Sequence, residues 1–438
     1  MTPHRCIRRS QTILLAAAIL LLHVGVRAES LAQAWALALQ NDRSLAAVRL
    51  ETEAARLDAA AARGMRYPDV TASSSFVQFA DAPAFDFSAA GIPIQLPELI
   101  DRNNTVMGSL TMTLPLYTSG RISNAIDAAD EGQRAREAVE KQVLQETKLE
   151  VARAYVDVLR AQRALGVADS NVASLEAHAS QVSSMFEREA VPRNDLLAAQ
   201  VALANAKQNR IRAANALSLA IASYNRRLGQ PLTREVALEP ALPVIGAELD
   251  REPIERLIAR ALENRSELAA LQAQANATEH LANVERARLR PQLALSGGYT
   301  YLENQALDRE TFAIASLSVR WPLFDGGATR NRTAALRRSQ RALQERRADV
   351  ETSIALETRR AWLDVQEARS RANVTADAVT QSEENLRITR EQYQAGLVIN
   401  TRVLEAESLR VVSRTNHDDA LLDATLATYR LARVVGTL

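Results

Sequence analysis

Cysteine is nearly absent: the one thiol of this 438-residue chain is Cys6, which precedes the apolar stretch Ile13 to Leu22. A chain cut beyond that stretch has no thiol, which excludes disulfides, thiolate metal sites and cysteine nucleophiles. It also argues against an N-terminal lipid anchor, because a lipidated cysteine would have to follow the apolar segment at the cleavage point. Aromatic residues make up only 4%, and there are just 15 Gly and 13 Pro. With Ala, Leu, Gln, Glu and Arg abundant, that composition favours long helices. Neither charge sign dominates, with 53 basic against 52 acidic residues, so nothing points to nucleic acid as a partner.

Chemical signatures are missing too. No Gly-rich phosphate loop ends in Gly-Lys-Ser/Thr, so no nucleotide hydrolysis is expected. There is no Gly-x-Ser-x-Gly elbow. His4 and His23 lie at the N-terminus, and His178, His280 and His417 stand singly on helices without a second ligand at helical spacing. Each of these three reads as a surface histidine. The expectation is therefore no catalytic residue, no metal, no cofactor and no enzyme activity.

What is present begins with an export signal: Arg5, Arg8 and Arg9, the apolar stretch, then small residues at Val26 and Ala28. Residues 1–28 read as a signal peptide cleaved after Ala28. The apolar run is shorter than the roughly 20 residues of a spanning helix, which argues against a membrane anchor.

The rest repeats itself. Pro115-Leu116-Tyr117 with Gly120 answers Pro322-Leu323-Phe324 with Gly327 at an offset of 207 residues. The same offset relates Tyr155 to Trp362, Phe186 to Tyr393, Leu197 to Leu404 and Gly229 to Gly436. Further upstream, Asn41 answers Asn264 and Tyr67-Pro68 answers Arg290-Pro291, so the first half carries an extra segment, near Gln78 to Asn104, that reads as an exposed loop. The halves are 29–235 and 236–438, joined where prolines interrupt the helical pattern. Each half has a helix, two short alternating segments, a very long helix, a tight turn and a second long helix.

The alternating segments lie near 69–78, 105–114, 292–301 and 312–321, each about the ten residues of a tilted membrane-crossing strand. Val106, Gly108, Leu110, Met112 and Leu114 would share one face, opposite Ser109, Thr111 and Thr113. Its repeat sets Ala313, Ala315, Leu317, Val319 and Trp321 against Ser316, Ser318 and Arg320. A soluble half-buried sheet shows the same alternation. Four strands, however, cannot close a barrel, and lipid tolerates no open edge, so a membrane location requires several chains to share one barrel.

From Arg121 to Val191 and from Gly327 to Ala395 there is no proline, and a helix of such length reaches on the order of 100 Å. Val151, Ala154, Val158, Ala161, Leu165, Ala168, Val172, Leu175, Ala179, Val182 and Phe186 step by threes and fours, a heptad seam with small and large residues interleaved. The second copy is more polar along Ala361, Val365, Ala368, Ala372, Thr375, Val379, Ser382, Leu386, Thr389 and Tyr393. Its returning helix is expected to add Val403, Leu404, Leu409, Val412, Leu421, Leu422 and Leu426. A narrow apolar stripe suits helices set side by side in a thin wall, and equally a plain coiled coil without a lumen.

The order of elements, the duplication, the Tyr-Pro, Pro-Leu-Tyr and Pro-Leu-Phe corners, and Tyr393-Gln394-Ala395-Gly396 followed by Val403-Leu404-Glu405-Ala406 resemble the TolC family of outer-membrane efflux and secretion ducts. The likeness spans nearly the whole chain after residue 28. It implies a mainly α fold with a small β part: long antiparallel coiled-coil helices forming an α-barrel, and four strands contributed to a shared trimeric transmembrane β-barrel. The implied protein is a homotrimer in outer-membrane lipid with a large periplasmic extension, docking on a periplasmic adaptor and an inner-membrane pump in a tripartite efflux or type I secretion system. The turns at 190–194 and 397–401 would form the periplasmic tip, and Glu189, Asp195, Tyr393, Gly396 and Arg402 are its aperture candidates. The family often has a glycine in both turns and an acid just after each. Here Glu189 and Pro192 occupy the first turn and Arg402 stands where the second acid falls, so Asp195 and Arg402 could alternate in a ring of ion pairs. A competing reading is a periplasmic coiled-coil adaptor or scaffold without a pore.

Overall fold

In a computed structural model, residues 28–80, 104–243, 248–303 and 308–438 are described. The expected signal peptide and most of the expected exposed loop lie outside these residues.

Two short helices open the chain, α1 (Leu31–Asn41) and α2 (Arg43–Gly64). Ser30 and Gln33 close a capping box on α1, and the Asp42 carboxylate accepts from Leu45 N at 2.8 Å to start α2. The chain then runs β1 (Asp69–Gln78), β2 (Asn104–Tyr117), α3 (Arg121–Glu187) and α4 (Arg193–Arg227). The same order follows as α5 (Ile254–Asn264), α6 (Ser266–Arg286), β3 (Gln292–Leu302), β4 (Thr311–Arg320), α7 (Ala328–Gln394) and α8 (Asn400–Val434). At 67 residues each, α3 and α7 are about 100 Å long. Both start after two successive left-handed residues, Ser119-Gly120 and Gly326-Gly327, which turn the chain from sheet into helix.

The strands form one antiparallel sheet in sequence order, leaving an unpaired edge at β1 and another at β4. Register decides the faces. Val70, Met112, Gly297 and Ala315 lie in one cross-strand row, and Ala72, Leu110, Tyr299 and Ala313 in the next on the same side. Ser73, Ser109 and Thr300 lie on the other side, as do Thr113 and Ser296. At the seam between the two halves, a Cβ on Gly298 would stand 2.0 Å from the Leu110 carbonyl oxygen, so only glycine fits there.

Beneath the sheet, α2, α3, α6 and α7 lie side by side, and lower down α3 pairs with α4 and α7 with α8. Ion pairs such as Arg63–Asp130 at 2.7 Å and Arg136–Glu51 at 3.1 Å run along the α2–α3 contact. The thickest core sits midway, where α1, α3, α4 and α8 bury Leu31, Tyr155, Leu159, Tyr224, Leu228 and Tyr429. Burial pushes the Tyr155 hydroxyl up to about 12, and it lies 2.7 and 2.8 Å from the carbonyls of Glu29 and Glu239. Buried Glu29 accepts from Tyr224 at 3.0 Å and from Arg234 at 2.5 Å. Across the second half, buried Arg265 pairs with Glu267 at 2.8 Å and Glu357 at 2.9 Å. Burial opposes the Glu267 charge most strongly, yet the hydrogen bonds and the Arg265 and Arg433 charges together outweigh it and hold this carboxyl below its usual range.

The heptad seam of α3 is buried or half-buried throughout. On α8, Val403, Leu422 and Leu426 are buried, but Leu409, Val412 and Leu421 are exposed in the single chain. The expected stripe on α8 is thus split. Three- and four-residue steps drift around a 3.6-residue helix, and α8 packs on α7, α3 and α4 rather than on one partner.

Candidate functional site

The tip is built from two equivalent turns. After α3, Ala190 N donates to Met185 O at 2.9 Å, and after α7, Leu397 N donates to Gln392 O at 2.8 Å, the same six-residue closure. That closure needs a left-handed residue, and Gly396 supplies it at φ 71°. In the first turn Glu189 takes the position instead, at φ 58°, with its side chain exposed. Asp195 lies in the first turn of α4, where the helix N-terminus favours its charge.

Asp195 and Tyr393 belong to one cluster, linked through Asn400 and His178. Burial raises the Tyr393 hydroxyl and the Asp195 charge raises it further. That hydroxyl is buried without a hydrogen-bond partner. Asn400, at the start of α8, ties the region together: its Nδ2 donates to Asp195 O at 3.0 Å and its Oδ1 accepts from His178 Nε2 at 2.7 Å. The His178 ring packs on Tyr393 with centroids 5.5 Å apart. Glu189 and Arg402 do not join this group. Within one chain the Arg402 guanidinium reaches Glu405 at 3.1 Å, not Asp195.

His178 corrects the surface reading: it is 4% exposed, and burial, with the Arg390 charge, lowers its pKa so that the neutral ring is favoured. His280 and His417 are half-buried, beside Asn124 at 3.3 Å and Thr375 at 3.2 Å. Sequence reading also passed over Glu407, which is 2% exposed among helices. Its carboxylate binds Arg390 of α7, Ser174 of α3 and, at 3.3 Å, Arg410 of α8. Its spacing was the available signal, because an acid four residues after Val403 and seven after Asn400 falls on the buried side of α8.

At the other end, no helix among the described residues is long and apolar enough to cross a membrane. There the two-faced sheet meets the helical wall at Tyr67, Tyr117, Trp321, Leu323 and Phe324, all exposed. Aromatic residues at such a level mark the edge of a bilayer.

A sheet with one apolar and one polar face, standing on helices about 100 Å long, defines the class of outer-membrane channels that continue into a helical tube. The profile of the family described as Outer membrane efflux protein matches residues 35–230 and 257–437, and the chain belongs to that family. Outer membrane protein TolC of Vibrio cholerae is 25% identical over 445 residues, covering 97% of this chain and 95% of that protein. Alkaline protease secretion protein AprF of Pseudomonas aeruginosa is 26% identical over 460 residues, covering 98% and 89%. The outer membrane protein VceC of Vibrio cholerae shares the fold, with a TM-score of 0.79 at 17% identity over 93% of this chain and 96% of that one. The chain is thus an outer-membrane channel protein of the efflux and secretion type.

Proposed function

We propose that three copies of this chain close a twelve-stranded barrel in the outer membrane and conduct solutes or polypeptides passively, with no chemistry of their own. The observation that carries this reading is the sheet itself, whose two unpaired edges and single apolar face leave one chain incomplete in lipid. A scaffold without a pore has no use for such a face, and the family match favours the conduit. Energy comes from a partner. The exposed Leu197, Val201, Leu397 and Ile399 near the tip offer an apolar surface for a periplasmic adaptor coupled to an inner-membrane pump. Export precedes assembly: a cut after Ala28 leaves Glu29, held by Arg234 and Tyr224, as the first residue.

The tip is the narrow point in this reading. Asp195 and Arg402 of adjacent subunits alternate around it, and Arg402 exchanges its Glu405 partner for Asp195 on closure. In planar bilayers the reconstituted protein gives discrete channels, and Asp195→Ala or Arg402→Ala raises conductance or alters ion selectivity. Unchanged conductance in both variants removes the charged ring, while a lack of any channel activity in the wild type removes the conduit.

A further inference from the structure

The strongest charged feature outside the tip lies just below the sheet. Between the end of α6 and the first turns of α7 is an open concavity of about 650 Å³ walled by Arg286, Arg290, Arg330, Arg337, Arg338 and Arg341, with no carboxylate in its lining. Arginines elsewhere on this chain are commonly paired. Even at the rim, Arg288 and Arg332 reach Glu285 at 3.1 and 3.6 Å. None of the six wall arginines has an acidic partner among the described residues. On the floor, Thr333 is 8% exposed and its hydroxyl has no hydrogen-bond partner. Six permanently charged guanidinium groups around one hollow repel each other, and an oxyanion removes that repulsion while accepting bidentate hydrogen bonds.

Position identifies the oxyanion. Trp321 continues the apolar row of Leu317 and Val319, and its indole N–H donates to Leu289 O at 3.2 Å. Leu289 and Arg290 line the hollow, so it adjoins the end of the apolar row that Trp321 continues. In the link from β4 to α7, a few residues before the lining residue Thr329, Leu323 and Phe324 are 77% and 86% exposed. An apolar shelf beside a ring of arginines matches an amphiphile with a phosphate head at the periplasmic leaflet. We propose that this hollow holds the phosphate of an anionic phospholipid, whose acyl chains lie against Leu323 and Phe324. The inference rests on the outer-membrane location and not on conduction.

Trp321 reports on it directly. The other two tryptophans, Trp35 on α1 and Trp362 midway along α7, lie far down the helical wall. Full-length protein is reconstituted in phosphatidylcholine vesicles containing either brominated phosphatidylglycerol or brominated phosphatidylcholine, and tryptophan quenching is measured. The wild type is expected to favour phosphatidylglycerol by about fivefold or more, the effect of at least one arginine near a lipid surface. The triple variant Arg337→Gln, Arg338→Gln, Arg341→Gln brings that ratio to about one, whereas lysine at the same three positions keeps part of it. Equal quenching by both lipids in the wild type overturns the proposal. Loss of the preference on adding millimolar inorganic phosphate also overturns it, in favour of a free-anion site. So does dissociation of the glutamine variant into monomers, which would assign the arginines to acids of a second copy. Failure of lipid selectivity in a variant that still forms channels leaves the conduit reading standing.

Discussion

At the residue scale, the two tip turns show what one substitution costs. Gly396 and Glu189 occupy equivalent places with similar positive φ, but only glycine does so without strain. Glu189→Gly is expected to stabilise the protein by about 1 kcal/mol, read as a higher Tm. Gly396 was legible as a turn residue because it sits in a recognisable segment, and Asp195 because it follows the first turn; their part in an aperture, with Tyr393, is the proposal made above. His178 was not legible: a lone histidine on a charged helix gives no sign that Asn400, 222 residues away, will meet it. Its lowered pKa has a sign. The unfolded chain takes up the proton more readily than the folded one, so the contribution of His178 is complete above its ordinary value and lost as pH falls. Tm should decline from about pH 6.5 downward, and His178→Gln should flatten that part of the profile. A profile unchanged by the substitution counts against the neutral, buried imidazole.

At the scale of elements, alternation located the strands well. β1 spans Asp69–Gln78, and β2 extends to Tyr117 through Pro115, where a register shift accommodates the missing N–H. The periodicity gave each strand its two faces but not its neighbour. Pairing of β2 with β3 sets the halves edge to edge, and Gly298 allows Leu110 to approach. Gly298→Ala should force that seam apart, costing about 3 kcal/mol and lowering the yield of assembled protein in the outer membrane. Normal assembly of the alanine variant would place the seam elsewhere. On the helices, the seam of α3 was readable from its heptads. For Glu407 the spacing showed the buried side but not the partners, since a buried carboxylate is tolerated only because Arg390, Ser174 and Arg410 arrive from three helices.

At the scale of the whole molecule, exposure in one chain marks what other chains must cover. Large apolar residues stand open on the sheet, and Leu50 and Leu57 on α2, in a protein whose own core is thin. If neighbouring copies cover them, stability follows mass action, and the Tm of detergent-solubilised protein rises with its concentration. A Tm independent of concentration would indicate a subunit that stands alone.

The sequence by itself determined the class of this protein. Period-two and heptad patterns, a long-range repeat and the lack of thiols and phosphate loops are local or compositional, and each survives without knowing which residues touch. Only the tertiary structure decided the contacts between distant segments: the burial of His178 and Glu407, the glycine-dependent seam, and the arginine-walled hollow beneath Trp321. The physical reason is that burial and electrostatic environment belong to pairs of elements. A single segment fixes which face a side chain occupies, but its neighbours fix whether that face meets water, lipid or another charge.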